Sequence, residues 1–184
     1  MIDDFKCDLE VLSSKQIFRK YVLNGPCHVL NEELHFRLKE EICEFFDIDF
    51  SNVIPVGSAR FGFSIKPGKR YVAFGEESDI DIAVVSPDLF TKIWNEAFLY
   101  KKSGAFWPQS AKFFRYLSEG WIRPDKLPVG PHFPFTQKWW DFFNSLTSSR
   151  QYGPYKIRAG LYHSMFFFEE YQKICIEQCI EEIK

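Results

Sequence analysis

Apolar residues first recur at helical spacing over residues 14–24, where Ile17, Phe18, Tyr21 and Val22 fall on one side of a helix. Ser13-Ser14-Lys15-Gln16 reads as a capping box and Gly25-Pro26 stops the run, so a first helix is predicted over 14–24. Asn31 caps a second helix, in which Glu32 and Glu33 suit the positive end of the helix dipole. Leu34, Leu38, Ile42, Phe45 and Phe46 form its apolar face, and it should end near Asp47. The period then changes. "NVIPVGSARFGFSI" supplies a short apolar strand ending at a Gly-Ser turn, and "DIDIAVV" supplies a second strand. Its last four residues are apolar on both faces, as in a central strand. The polar segment "KPGKRYVAFGEE" between them carries turn signals that predict a hairpin or loop. Ser86-Pro87-Asp88 starts a helix with Leu89, Phe90, Ile93, Trp94, Ala97 and Phe98 on its apolar face. "PQSAKFFRYLSE" and "FTQKWWDFFNSL" predict two more helices, separated by the Pro-rich "GWIRPDKLPVGPHFPF". "YKIRAGLYHS" reads as a strand, and a final helix runs from about Ser164. This order predicts an α+β fold, a small mixed β-sheet with helices packed on it, in one continuous domain over 1–184.

Composition narrows the class. Apolar residues make up 46% of the 184 positions and aromatic residues 18%, which favours a packed core over disorder. The longest apolar runs, such as "IAVV" and "MFFF", fall far short of the ~20 residues that span a bilayer, so no membrane association is expected. The opening "IDDFKCDLE" is acidic and does not read as a secretory leader, which makes the cytoplasm the expected compartment. Five scattered cysteines predict reduced thiols. Cys175 and Cys179 share a helical face, but nothing nearby completes a zinc set, and packing as small hydrophobes is the preferred reading. A net charge of −2 with dispersed basic residues gives no face for long duplex nucleic acid, and leaves room for a small phosphorylated ligand.

The chemistry concentrates at Asp79 and Asp81. On a strand, residues two apart project from the same face, so the two carboxylates lie side by side while Ile80 and Ile82 point the other way. Placing two such charges at the end of a buried strand is costly unless a cation neutralises them or one takes a proton. Mg²⁺ is the usual remedy, since it binds through one or two carboxylates and completes its shell with water and phosphate oxygens. The plain alternative is a surface strand whose aspartates face water, and the apolar continuation "IAVV" argues against it. A calcium loop does not fit, because the D-x-D-x-D-G pattern with its distal Glu is missing. Upstream, Gly57 lets backbone N–H groups approach an anion and Ser58 adds a hydroxyl donor, with the dipole of any helical turn starting there favouring phosphate.

With these two halves, "VGSARFGF" and "SDIDIAVV", the sequence resembles the nucleotidyltransferase superfamily related to DNA polymerase beta, over about residues 31–100. The resemblance implies N-terminal helices over 1–50, a catalytic core over 51–103 and a helical and C-terminal elaboration over 104–184. It implies that Asp79 and Asp81 bind two Mg²⁺ (or Mn²⁺) ions and that Gly57 and Ser58 hold the β and γ phosphates of a nucleoside triphosphate. Arg60, Lys66, Lys69, Lys156 and Arg158 are the basic candidates for nucleotide binding. The implied reaction is attack of a hydroxyl on the α-phosphate with release of pyrophosphate. Two features depart from the family pattern. The segment inserted between Ser58 and Asp79 is long, with Lys66, Lys69 and Arg70 either clamping phosphates or forming a solvated loop. The third carboxylate, usual on a later strand, is missing from "YKIRAGLYHS", whose alternation instead puts Lys156, Arg158 and Tyr162 on one face. Asp125 and Glu169 are the candidate substitutes.

The expected function is template-independent transfer of a nucleotide to a hydroxyl. Small members of the superfamily act in toxin–antitoxin or antiphage systems, so a toxin, antitoxin or protein effector is an expected partner, with a faint resemblance to Hailong-type defence synthetases. The alternative is a degenerate transferase that binds nucleotide or protein without turnover, as the missing acid suggests. Metal-dependent phosphoester hydrolysis is a third class, with no extra ligands to support it. Tyr155, Tyr162 and Tyr171 are conceivable self-acceptors, and Trp107, Trp121, Trp139 and Trp140 are candidates for base stacking or partner binding. Core packing is the preferred role for all seven.

Overall fold

The computed structural model describes residues 1–183. Helix α1 (Ile2–Val11) buries Phe5 and Leu9, one turn apart, and carries Asp3 and Asp4 in its first turn. Helix α2 (Ser14–Ile17) begins with the expected capping box: Ser13 Oγ accepts from Gln16 N at 3.3 Å, and Gln16 Oε1 accepts from Ser13 N at 2.9 Å. The chain then winds as a π-helix over Phe18–Asn24, so the helix expected over 14–24 changes winding after Ile17. Within that stretch the Tyr21 carbonyl accepts from Arg60 Nε at 3.1 Å, a side-chain partner where the α pattern is broken.

Helix α3 (Glu32–Phe46) is capped by Asn31, whose Oδ1 accepts from Leu34 N at 2.9 Å, and it closes on Asp47 in the left-handed region. Strand β1 (Val53–Val56) runs directly into a short helix, α4 (Gly57–Phe61). After a loop closed by a bridge between Phe63 and Ala73 and by backbone bonds such as Ser64 N to Val72 O and Phe74 N to Gly62 O, each at 2.8 Å, strand β2 (Asp79–Val85) leads into α5 (Pro87–Lys102). Ser86 caps α5 as expected, its Oγ accepting from Leu89 N at 3.2 Å. There follow α6 (Ser110–Ser118), β3 (Trp121–Ile122), α7 (Pro134–Ser149), β4 (Lys156–Tyr162) and α8 (Met165–Ile183). The Pro-rich segment expected as a separator therefore contributes a short edge strand.

The sheet has the order β1-β2-β4-β3, with β2 and β4 parallel and the other pairs antiparallel. The fold is thus α+β with a mixed sheet. Pro55 sits in β1, an edge strand, where a missing N–H costs no ladder bond on the open side. Strand β2 is interior, and its two faces serve two cores. Ile80, Ile82 and Val84 pack with Leu38, Ile42, Phe90, Trp139 and Phe143. Ala83 and Val85 pack with Phe5, Phe18, Phe168 and Ile176. Helices α3, α5 and α7 therefore cover one face and α1, α2 and α8 the other, which explains why "IAVV" is apolar on both sides. Asp79 and Asp81 continue the α8-facing row of Ala83 and Val85 beyond the covered part of the sheet.

The five cysteines are free, with Cys27, Cys43 and Cys179 buried. Among the described residues no helix is long and apolar enough to cross a membrane.

Candidate active site

The β1–β2 register places Val56 opposite Asp81, so the residue after Val56 must turn beside the Asp81 carboxylate. That residue is Gly57, at φ +63°, and a Cβ built there would stand 3.2 Å from Asp81 Oδ2. Only glycine occupies this left-handed corner without strain and leaves the space beside the carboxylate open. On the other side of β2, the parallel pairing with β4 sets Lys156 beside Asp79 and Arg158 beside Asp81. Arg158 leans back to Asp79, with Nε 3.1 Å from Oδ2. Lys66, from the inserted loop, brings Nζ to 3.9 Å from Asp81 Oδ2. Burial raises the Asp81 carboxyl above the ordinary carboxylate value, the neighbouring Asp79 adds to the rise, and Lys66 and Arg158 oppose it.

These residues line a cleft of about 960 Å³, at the upper end of the ~300–1,000 Å³ usual for small-molecule sites. Gly57, Ser58, Lys66, Lys69, Asp79, Asp81 and Arg158 all border it, which unites most of the residues that the sequence singled out.

Arg60 is a correction. It is buried, bonded to the Tyr21 carbonyl, and does not border the cleft. On a helix two residues turn the chain by about 200°, so an arginine two after Ser58 faces away from it. Lys156 is a second correction: it lies at the outer end of β4, exposed, and stays outside the cleft lining. Asp125 does border the cleft, but its oxygens are already taken. Arg123 holds both, Nε to Oδ1 and Nη2 to Oδ2 at 3.0 Å each, and Lys126 Nζ lies 2.9 Å from Oδ2. Burial pushes its pKa up, but the hydrogen bonds from Lys126 and Arg123 outweigh that and hold it below the ordinary value. Glu169 is paired with Lys15 at 3.8 Å and does not border the cleft. Two carboxylates on one strand face, beside a space kept free of a Cβ, suit one divalent cation completed by water and phosphate oxygens. A group of three or more His, Cys, Asp or Glu side chains placed to hold a metal is absent among the described residues.

The far wall is aromatic. Gly160 of β4 lets the Trp121 ring lie close, since a Cβ there would meet Trp121 Nε1 at 2.6 Å. Trp121 is parallel to Tyr162 within 3°, with centroids 5.8 Å apart, and its centroid is 4.6 Å from that of Tyr171. Arg123 Cζ stands 5.3 Å from the Trp121 ring. Trp121 and Trp140 border the cleft, whereas Trp139 and Trp107 are core residues. Tyr162 and Tyr171 border it as well, but burial raises both phenols, which opposes a self-acceptor role. Tyr155 packs edge-on to Phe74. Arg123, Gln172 and Cys175 also line the cleft and were not anticipated. A signal for Arg123 existed in "WIR", where Trp and Arg share a strand face.

Comparison of the chain with protein-family models, with curated proteins and with solved structures yields no match.

Proposed function

We propose that the cleft is a divalent-cation-dependent nucleotidyl-transfer site. The observation that carries this reading is the meeting of Gly57 with the Asp79–Asp81 pair: a strand-end turn without a Cβ beside two carboxylates on one strand face. In this reading Asp79 and Asp81 hold Mg²⁺ or Mn²⁺, which supplies charge stabilisation at the reacting phosphate. Ser58 and the backbone at Gly57 take phosphate oxygens, and Lys66, Lys69 and Arg158 neutralise the triphosphate from the opposite walls. The acceptor oxygen forms a bond to the α-phosphorus, the bond to pyrophosphate breaks, and the acceptor's proton leaves to solvent. Trp121, beside Arg123, offers a flat apolar surface for a base.

The test is incubation with labelled ATP, dATP, GTP, CTP and UTP plus Mg²⁺ or Mn²⁺, following pyrophosphate release and identifying products by mass spectrometry. Pyrophosphate from at least one nucleotide, lost to background in Asp79→Asn and Asp81→Asn, is the expected outcome. One observation favours a second reading, a binding module without turnover: Asp79 is already paired with Arg158. That reading requires nucleotide binding in the same panel with no pyrophosphate formed.

A further inference from the structure

We propose that Arg158 stands in for the second metal ion, so that the cleft takes one divalent cation and one guanidinium where the superfamily pattern implies two ions. The inference rests on the transferase reading and concerns how the same site is charged. Three observations carry it. Arg158 is in register with Asp81 on the neighbouring parallel strand, a position from which a third acid would reach the aspartate pair. Its Nε lies 3.1 Å from Asp79 Oδ2, so a guanidinium occupies ground that a second ion would need. Of the other acids that line the cleft, Asp125 is held by Arg123 and Lys126, Glu76 and Glu77 lie exposed on the loop before β2, and no three-residue ligand group exists among the described residues.

Two-metal sites place their ions about 3.5–4 Å apart and share carboxylates between them. Here a second ion at that spacing would meet the Arg158 guanidinium, which stays in the cleft whether it pairs with Asp79 or with phosphate, while the strand face offers two carboxylates, Asp79 and Asp81. One ion between Asp79 and Asp81 does not face that conflict if Arg158 turns from Asp79 toward an incoming triphosphate. The arginine is free to do so. Its side chain is 52% exposed, and its planar fork matches phosphate oxygens in pairs. The carboxylate that it releases becomes available to the ion at the same moment, which makes triphosphate and metal binding cooperative.

Counting bound Mn²⁺ tests this directly. The intact chain is titrated with Mn²⁺ in the presence of α,β-methylene analogues of ATP, GTP, CTP and UTP taken in turn. Free Mn²⁺ is followed by electron paramagnetic resonance and analogue affinity by calorimetry. One Mn²⁺ per chain is expected for the natural sequence. Arg158→Gln should keep that count and weaken the analogue by about tenfold or more, as loss of a charge-assisted contact requires. Arg158→Asp, which puts a third carboxylate in register with Asp81, should raise the count to two. Two Mn²⁺ in the natural chain overturn the inference and leave the transferase reading standing. An unchanged analogue affinity in Arg158→Gln, or a count still at one in a folded Arg158→Asp, also overturns it. No Mn²⁺ with any analogue overturns the transferase reading itself.

Discussion

Replacing Gly57 by alanine probes the corner on which the functional reading depends. Gly57 has φ +63°, and the new Cβ would lie 3.2 Å from Asp81 Oδ2, close enough that the carboxylate must give by a few tenths of an ångström. Holding a non-glycine residue in the left-handed region costs about 1–2 kcal/mol. Against a stability on the order of 5–15 kcal/mol, the variant stays folded. For a chain of this length each kcal/mol moves the melting temperature by about 2–4 °C, so a fall of about 2–8 °C is expected. Gly104→Ala is the matched control. Gly104 has φ +76° with nothing within 4 Å of its Cβ position, so it carries the same backbone cost and touches no carboxylate. The two variants should melt within a few degrees of each other. They should differ at the site, because coordination distances hold only within about 0.2 Å. Gly57→Ala should weaken Mn²⁺ binding by about an order of magnitude or more, a change worth about 1.4 kcal/mol, while Gly104→Ala leaves it unchanged. Calorimetric melting and Mn²⁺ titration of both proteins give the answer. Equal Mn²⁺ affinity in the two variants would refute the argument, because the open space beside Asp81 would then have no bearing on ligands.

Asp8 supplies a pH test of stability. Its Oδ2 accepts from Lys20 Nζ at 2.5 Å and Tyr21 Oη at 2.6 Å, and these bonds, Lys20 first, hold its pKa below the ordinary 3.8. A pKa lowered on folding gives stability that is present above the unfolded value and lost as pH falls through the folded one. Asp8→Asn should therefore lower the urea midpoint at pH 7, and the gap to the natural chain should narrow at pH 3; a constant gap contradicts the assignment. Trp139 of α7 is fully buried, against Phe46 of α3 and Phe143 of its own helix, so Trp139→Ala should cost about 3–5 kcal/mol in denaturant titration. A loss below about 1 kcal/mol would mean that the site is not packed as described. Asp125→Asn should leave Mn²⁺ affinity unchanged, since its oxygens serve Arg123 and Lys126; a fall in affinity would restore it as a metal ligand.

Much of the frame was legible because it is written locally. Asn31 and Ser86 are caps whose bonds close within three residues, and the structure forms both. The apolar "IAVV" identified an interior strand, and β2 has partners on both sides. Elements that depend on distant partners were not legible. Helix α1 is held by Phe5 against Tyr21, Phe61 and Phe63, contacts that its own charged sequence does not announce. Strand β3 is two residues long and exists because β4 offers an edge to Trp121 and Ile122. At the site, spacing along the strand brought Asp79 and Asp81 together correctly. The Arg158–Asp79 pair depends on the register of two strands far apart in sequence, which no local pattern encodes. Arg60 shows the opposite error, in which nearness in sequence to Gly57 and Ser58 was read as nearness in the cleft.

The pairing of Asp79 with Arg158 and of Asp81 with Lys66 also changes what the two carboxylates ask of their surroundings. Two like charges at a strand end are costly unless a cation neutralises them or one takes a proton. Both already have a cationic partner within 4 Å, and both pairs are partly exposed, where such contacts are worth at most about 1 kcal/mol. Folding and ligand binding are then separable: the internal pairs neutralise the strand end, yet are weak enough to be exchanged for the triphosphate and metal that the proposed function requires. A buried, fully satisfied ion pair would resist that exchange, and breaking it would cost several times more. Lys66 sits on the inserted loop and Arg158 on the sheet, so a ligand that draws both away from the aspartates bridges two separate walls of the cleft. The long insertion, which looked like a departure from the expected spacing, is what brings the Lys66 ammonium to Asp81.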